Sequence, residues 1–171
     1  MLGLRRKRKD DVDVRAVLEN LQRLEAINAT HLIGSEPRPE FDDLAEKASD
    51  ALRTPMAFLS IVTADRTHLV GAAGLDGELE EVRQVACEES YCQHVVAFDD
   101  VLVVDNALAD SLVADHSATA DGVRAYLGVP IRKNGHTIGS FCVVDRKPRR
   151  WTDRNLATLE ALAAQVTEAI G

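Results

Sequence analysis

Tyr91, Cys92 and His94 stand within four consecutive positions of the stretch EESYCQHVV, residues 89–97. A thiol and an imidazole this close raise two chemistries. The imidazole can activate the thiol as a nucleophile, or both can hold a zinc ion. If residues 88–97 form a helix, positions 92 and 94 do not share a face. A Cys–His nucleophilic pair needs hydrogen-bond reach, and that spacing does not supply it. Tyr91 shares a face with Val95, and Cys92 with Val96. Cys92 therefore reads as a small, buried residue in a pocket wall rather than a catalytic centre. For zinc, Cys87, Cys92 and His94 with Cys142 or His116 would complete a tetrahedron. No closely spaced ligand pairs occur, however, and Cys142 in SFCVV reads as sheet interior. No metal is expected.

Other polar residues lie in the same region: Asp105, Asn106, Asp115, His116, Asp121, Arg124 and Tyr126. Arg124 is the strongest of these for an anionic ligand group, because its planar fork donates two parallel hydrogen bonds. Its bland alternative is a strand-edge arginine paired with Asp121 or Asp145. His116 reads as a loop residue, and His31, His68 and His136 as surface positions.

The elements that must position these side chains follow from composition and pattern. At 171 residues, 46% apolar and 28% charged, the chain suits one globular domain with a real core. Five of the 20 basic residues form the block Arg5–Lys9. The remaining 15 face 28 acidic residues, a net charge of −13 for the body. Such a body repels phosphate backbones, so the globular part is not expected to bind nucleic acid. The basic block at residues 1–11 reads as a solvated, disordered tip. No apolar run is long enough to cross a membrane, and Asp10, Asp11 and Asp13 interrupt any secretory signal. A cytoplasmic protein with reduced thiols is expected, because three cysteines without a CxxC make no disulfide framework.

Val14, Val17, Leu21 and Leu24 recur at helical spacing and predict a single N-terminal helix over 12–34. Pro39 opens a second helix, with Phe41, Leu44, Ala45, Ala48 and Leu52 on its buried face and Pro55 beyond its end. Residues 56–63 and 67–73 read as a hairpin around Ala64-Asp65-Arg66. Short strands are expected at 82–86 and 101–105. NALADSLVADHSATADG reads as short helices and loops. Asn134-Gly135 between two apolar segments predicts a type I′ hairpin, since both central residues need positive φ. Pro130 then belongs at an edge or bulge. Leu156, Leu159, Ala163, Val166 and Ile170 give a last helix capped by Thr152. Antiparallel strands between terminal helices make an α+β fold.

Four stretches together resemble the GAF domain, a small-molecule sensor module of many bacterial signalling proteins. They are FLSIVTADRTHLVGAAGLD, EESYCQHVV, LVVDNALAD and RAYLGVPIRKNGHTIGSFCVVDRKPRRWT. The resemblance runs from about Phe41 to Ile170, and residues 35–171 are expected to form the domain. It implies a six-stranded antiparallel sheet with the N- and C-terminal helices on one face, where relatives often dimerise. A pocket enclosed by residues 87–127 would occupy the other face.

Within that family, several chemistries fit poorly. Free methionine-R-sulfoxide reductases use a second cysteine before the V-P-[LI] strand, where DHSATADGVRAYLGVPI has none. The N-K-x-x-F-D-E signature of cyclic-nucleotide binders is absent. Cys92 is followed by glutamine, not by the histidine typical of bilin-binding relatives. The reading is a non-enzymatic sensor that binds an unidentified small molecule through Tyr91, Cys92, His94, Asp105 and Arg124. It would signal as a homodimer, with a signalling protein as a further partner and no cofactor specified. A thiol-based redox sensor or reductase using Cys92 with Cys87 or Cys142 is the alternative from another class. A ligand-free scaffold is the third.

Overall fold

The computed structural model describes residues 12–171, so the basic block Arg5–Lys9 lies outside the described residues. A six-stranded sheet, β1 (Met56–Val62), β2 (Arg66–Ala73), β3 (Gln84–Ala86), β4 (Leu102–Val104), β5 (Ala125–Lys133) and β6 (His136–Asp145), runs in the order β3-β2-β1-β6-β5-β4. Every pairing is antiparallel. The expected α+β sheet is therefore present, and its hairpins come from local chemistry. Asn134 and Gly135 both take positive φ, 52° and 78°, which the tight β5–β6 turn requires. Pro130 pairs with Ser140 beyond the end of β4, so no neighbour asks for its missing N–H. One residue further, the register slips between Ile131 and Arg132.

Side-chain alternation sorts the sheet into two cores. One face carries Ala57, Leu59, Ile61, Leu127, Val129, Phe141 and Val143. Three helices cover it: α2 (Leu21–Thr30), α3 (Pro39–Leu52) and, last in the chain, α7 (Asp153–Ile170). The helix α3 buries all five stripe residues, and its Pro39 sits in the first turn, where the absent N–H is no loss. Thr152 caps α7 in a reciprocal box with Asn155, and Leu159, Ala163 and Val166 face the sheet. Burying each of the larger side chains contributes about 1.5–3 kcal/mol.

The single N-terminal helix expected from the valine and leucine spacing is in fact two helices on different faces of the sheet. The first, α1 (Val14–Leu18), stops before Asn20, whose side chain accepts the Arg23 N–H at 3.0 Å and starts α2. A good N-cap inside an amphipathic run ended the helix that periodicity alone would continue. Leu21, assigned to the stripe, is 74% exposed. Arg23 is buried instead and donates to Leu18 O (2.7 Å), Val17 O (3.2 Å) and Val62 O (2.6 Å). It thus satisfies the orphan carbonyls at the end of α1 and pins them to the end of β1. This sends α1 across to the opposite face, against a helix that carries Cys92.

Candidate functional site

On the second face the strands present a different set of residues. The pairs Met56 with Val144, Phe58 with Cys142, and Ser60 with Ser140 lie side by side across β1 and β6. Tyr126 of β5 pairs with Val144 and projects over the same face. Its ring fills the space above Gly128, where a Cβ would come within 2.5 Å of the Tyr126 hydroxyl. Gly128 is therefore the residue that lets Tyr126 lie flat along its own strand.

The roof comes from the chain between β3 and β5. A 3-10 turn at Cys87–Glu89 leads to α5 (Cys92–Phe98), which lies over β5 and β6. The short helix α6 (Ser117–Ala120) is held by two local devices. Nδ1 of His116 accepts the Ala118 N–H at 3.2 Å, which places the imidazole proton on Nε2. The Thr119 hydroxyl donates to Val113 O at 2.6 Å and meets the Tyr91 hydroxyl. On the β2 side, the helix α4 (Gly77–Val82) contributes Leu79.

A cavity of about 210 Å³ remains between floor and roof. Met56, Phe58, Leu69, Leu79, Val123 and Val144 make its walls apolar, while Ser60, Tyr91, Cys92 and Tyr126 add polar groups. Exposed Glu89, Asp121 and Arg146 stand at its rim, and Arg146 donates to the Asp121 carbonyl at 3.3 Å.

The polar groups form a connected cluster. The Cys92 sulfur lies 3.3 Å from Ser60 Oγ and 3.2 Å from the Tyr126 hydroxyl, and that hydroxyl lies 3.0 Å from Ser140 Oγ. Cys142 lies in the same buried cluster as Cys92. Donors from Cys142, and less from Ser60, Ser90 and Tyr126, outweigh burial and pull the Cys92 thiol down to about 6. Burial and the adjacent Cys92 push Cys142 in the opposite direction. Negative charge in this cluster therefore belongs on Cys92. Its folded value lies below its ordinary one of 9.0. Its contribution to stability is full above that ordinary value and is lost as pH falls through about 6. Ultraviolet thiolate absorbance of the folded protein should titrate once near that pH. The Cys92→Ser protein should lack the step, and a first thiolate appearing only above the ordinary thiol value would contradict this charge placement.

The five residues singled out from sequence separate. Tyr91 and Cys92 are buried and line the cavity. His94 is outside the lining, stacked on Phe98 at 5.6 Å and edge-on to His116 at 6.1 Å. Asp105 is exposed and holds the connector to α7: its carboxylate accepts the Trp151 N–H at 3.3 Å and its carbonyl the Arg149 N–H at 2.9 Å. Arg124 pairs with neither Asp121 nor Asp145. Its Nη1 donates to Thr119 O and Val123 O, at 2.7 and 2.9 Å, and so ties α6 to β5. His68, read as a surface residue, is half-buried, and burial lowers its pKa. Among the described residues no cluster of three or more His, Cys, Asp or Glu could hold a metal ion.

Sequence reasoning missed Ser60, Ser140, Glu89 and Arg146 as neighbours of the cavity. It also placed Cys142 in the sheet without seeing that it shares a buried cluster with Cys92. The usable signal was strand parity: residues 140, 142 and 144 alternate with the helix-covered 141 and 143.

This architecture, a six-stranded antiparallel sheet with helices on one face and a roofed hollow on the other, is that of a sensor module. The GAF domain model matches residues 36–170, and the chain belongs to that family, whose members are generally signalling and sensor domains. A cyclic di-GMP phosphodiesterase of Pseudomonas aeruginosa, PA2567, is 30% identical over 134 residues. That match covers 76% of this chain, which spans only 22% of the relative's length. Among solved structures, the GAF domain of an Acinetobacter phosphoenolpyruvate-protein phosphotransferase superposes with a TM-score of 0.64 at 17% identity, covering 88% of this chain and 94% of that one. A type II free methionine-R-sulfoxide reductase from Thermoplasma acidophilum gives the same TM-score at 12% identity, covering 78% and 92%. At these identities the two structures speak for the fold alone.

Proposed function

We propose that this chain is a non-enzymatic regulatory sensor that binds a small molecule in the cavity between the sheet and residues 87–127. The observation that carries the reading is the cavity itself, with apolar walls, a few hydroxyls and the Cys92 thiol. Its volume of about 210 Å³ is below the roughly 300–1,000 Å³ of pockets for drug-sized ligands. A compact ligand fits, and a tetrapyrrole or a dinucleotide does not fit this form. Tyr91 and Cys92 are the binding residues retained from the sequence reading. Ser60, Tyr126 and Arg146 join them, while His94, Asp105 and Arg124 support the roof and its attachments.

A ligand shifts a sensor only through different affinities for two arrangements. The route outward is short here. Cys92 opens α5, and α5 packs directly on α1, so pressure on the cavity wall reaches the N-terminal helices. The sheet takes the apolar stripe of α7, which leaves the exposed Ala157, Ala161 and Ala164 as a smooth outer face for a second copy. Ala161→Glu should therefore convert a dimer to a monomer in sedimentation, while the far-ultraviolet circular dichroism stays that of the folded protein because the residue touches no core. A wild-type protein that sediments as a monomer at every concentration would remove the dimer from this reading. Among the described residues no helix is long and apolar enough to cross a membrane.

The test is native mass spectrometry of the chain purified from its own host. A retained compact molecule, absent after substitution of Ala118 in the cavity wall by tryptophan, is the expected result. A wild-type protein that neither retains a molecule nor takes one up from host extract would leave only the scaffold reading.

A further inference from the structure

We propose that His116 is an acid-sensitive latch on the cavity: a proton on its capping ring nitrogen uncaps α6 and opens the roof over a bound molecule. The proposal rests on the cavity reading and adds the regulation of that site. Its ground is the way α6 is held. The helix is one turn of four residues, too short to persist in water by itself. Nδ1 of His116 closes that turn by accepting the Ala118 N–H at 3.2 Å. The usual capping residues Ser, Thr and Asn do not titrate near neutral pH, and Asp does so only around pH 3.9. An imidazole in that place loses its acceptor within the physiological range. Once protonated, both ring nitrogens carry hydrogen, and Nδ1–H would point at the Ala118 N–H. The ring must then turn away and leave that N–H without its acceptor.

What the turn carries is the cavity wall. Ala118 lines the hollow, as do Asp121 and Val123 just beyond the helix. Thr119 of the same turn meets the Tyr91 hydroxyl and donates to Val113 O at 2.6 Å. Its carbonyl takes Nη1 of Arg124 at 2.7 Å, and the Val123 N–H returns to Ala118 O at 3.1 Å. Loss of the turn therefore displaces three lining residues and releases Tyr91, a fourth.

The surroundings of the ring favour its neutral form while the roof is closed. Tyr91 and His94 face it at 4.9 and 6.1 Å between ring centres. The Gln93 side-chain amide stands 3.4 Å from Nε2, and a half-turn of that amide offers Nε2–H an oxygen. Of the charged groups on the adjoining segments, Arg124 is spent on Thr119 O and Val123 O, and Asp110 accepts the Leu112 N–H. Asp115 and Asp121 are exposed. Burial is what holds the His116 pKa below its ordinary 6.5. An opened roof returns the ring to water and to that ordinary value. The latch is therefore fully held above 6.5 and is lost as pH falls below it through the lowered value.

The experiment records NMR spectra of the labelled full chain from about pH 8 to about pH 5, with and without xenon as a probe of the apolar hollow. The Ala118 and Thr119 amides should titrate at the midpoint of the His116 ring itself. Xenon-induced shifts of the Met56, Val123 and Val144 methyls should fade at least about tenfold across the same step, a span that one proton allows. His116→Asn keeps a capping acceptor that does not titrate, so its amides and its xenon response should stay level. The step should survive in the Cys92→Ser protein, which separates it from the thiol. A His116 ring that titrates while the α6 amides and the xenon shifts stand still overturns the proposal. So does a step that persists in His116→Asn or vanishes in Cys92→Ser. A wild-type chain without xenon shifts at the alkaline end removes the cavity instead, while the α6 amides still report the latch. Failure here and failure of the sensor reading are thus told apart.

Discussion

Arg23→Leu should cost about 2–6 kcal/mol of stability, the effect of leaving two buried carbonyls without their donor. The guanidinium is 3% exposed, and burial lowers its pKa to about 10, so it stays charged at neutral pH. It also binds Thr63 O at 3.4 Å and Thr137 O at 3.5 Å, in addition to the three shorter bonds at the ends of α1 and β1. Leucine restores apolar contact but leaves Val62 O and Leu18 O buried without a donor, each costing about 1–3 kcal/mol. Urea unfolding gives the number, and hydrogen exchange gives the location. Amides of α1 should lose protection first, because Arg23 is what fastens that helix to the sheet. A midpoint within experimental error of wild type would mean the carbonyls find other donors, and the arginine's position would then be incidental.

Ala118→Trp is the second large effect. Ala118 is a half-buried residue of α6 in the cavity wall. An indole there occupies the space between Tyr91, Val123 and Tyr126, and a ligand needing the same space should lose at least about a hundredfold in affinity, near 2.7 kcal/mol. The side chain enters an existing hollow, so the overpacking cost of about 1–3 kcal/mol for a filled core should not arise. Calorimetry separates the two: ligand heat disappears while the unfolding midpoint holds. If ligand affinity survives intact, the molecule binds elsewhere. The space of about 230 Å³ between the 32–38 loop and residues 81–84 is then the next place to look.

The sequence carried the layered fold well because its signals are local. Asn134-Gly135 permits few turns, Pro39 and Thr152 mark helix starts, and Phe41 to Leu52 can bury only one face. What it hid depends on the third dimension. Asn20 was a helix start concealed within a continuous apolar rhythm, so α1 was assigned to the wrong face. Cys142 looked like one more buried strand residue. Only the register, with its bulge between Ile131 and Arg132, sets it across from Gly128 and below Cys92. The candidate site divided the same way. Tyr91 and Cys92 were chosen because their segment builds the pocket that the resemblance implies, and both line the cavity. Arg124 and Asp105 were chosen for their chemistry, yet each spends its hydrogen bonds on backbone groups of neighbouring loops. Charge type alone does not reveal whether a side chain faces a ligand or its own main chain.

The central claim is that the hollow over β1, β6 and β5 accepts a small molecule. Amide and methyl NMR spectra of the labelled chain, recorded against a library of compact apolar fragments bearing one polar group, test it most directly. The account predicts fragment-dependent shifts grouped at Met56, Phe58 and Ser60, at Tyr91 and Cys92, and at Ala118, Val123, Tyr126 and Val144, all abolished by Ala118→Trp. Spectra in which no fragment moves these signals, or in which the tryptophan variant responds just as the wild type does, would contradict it.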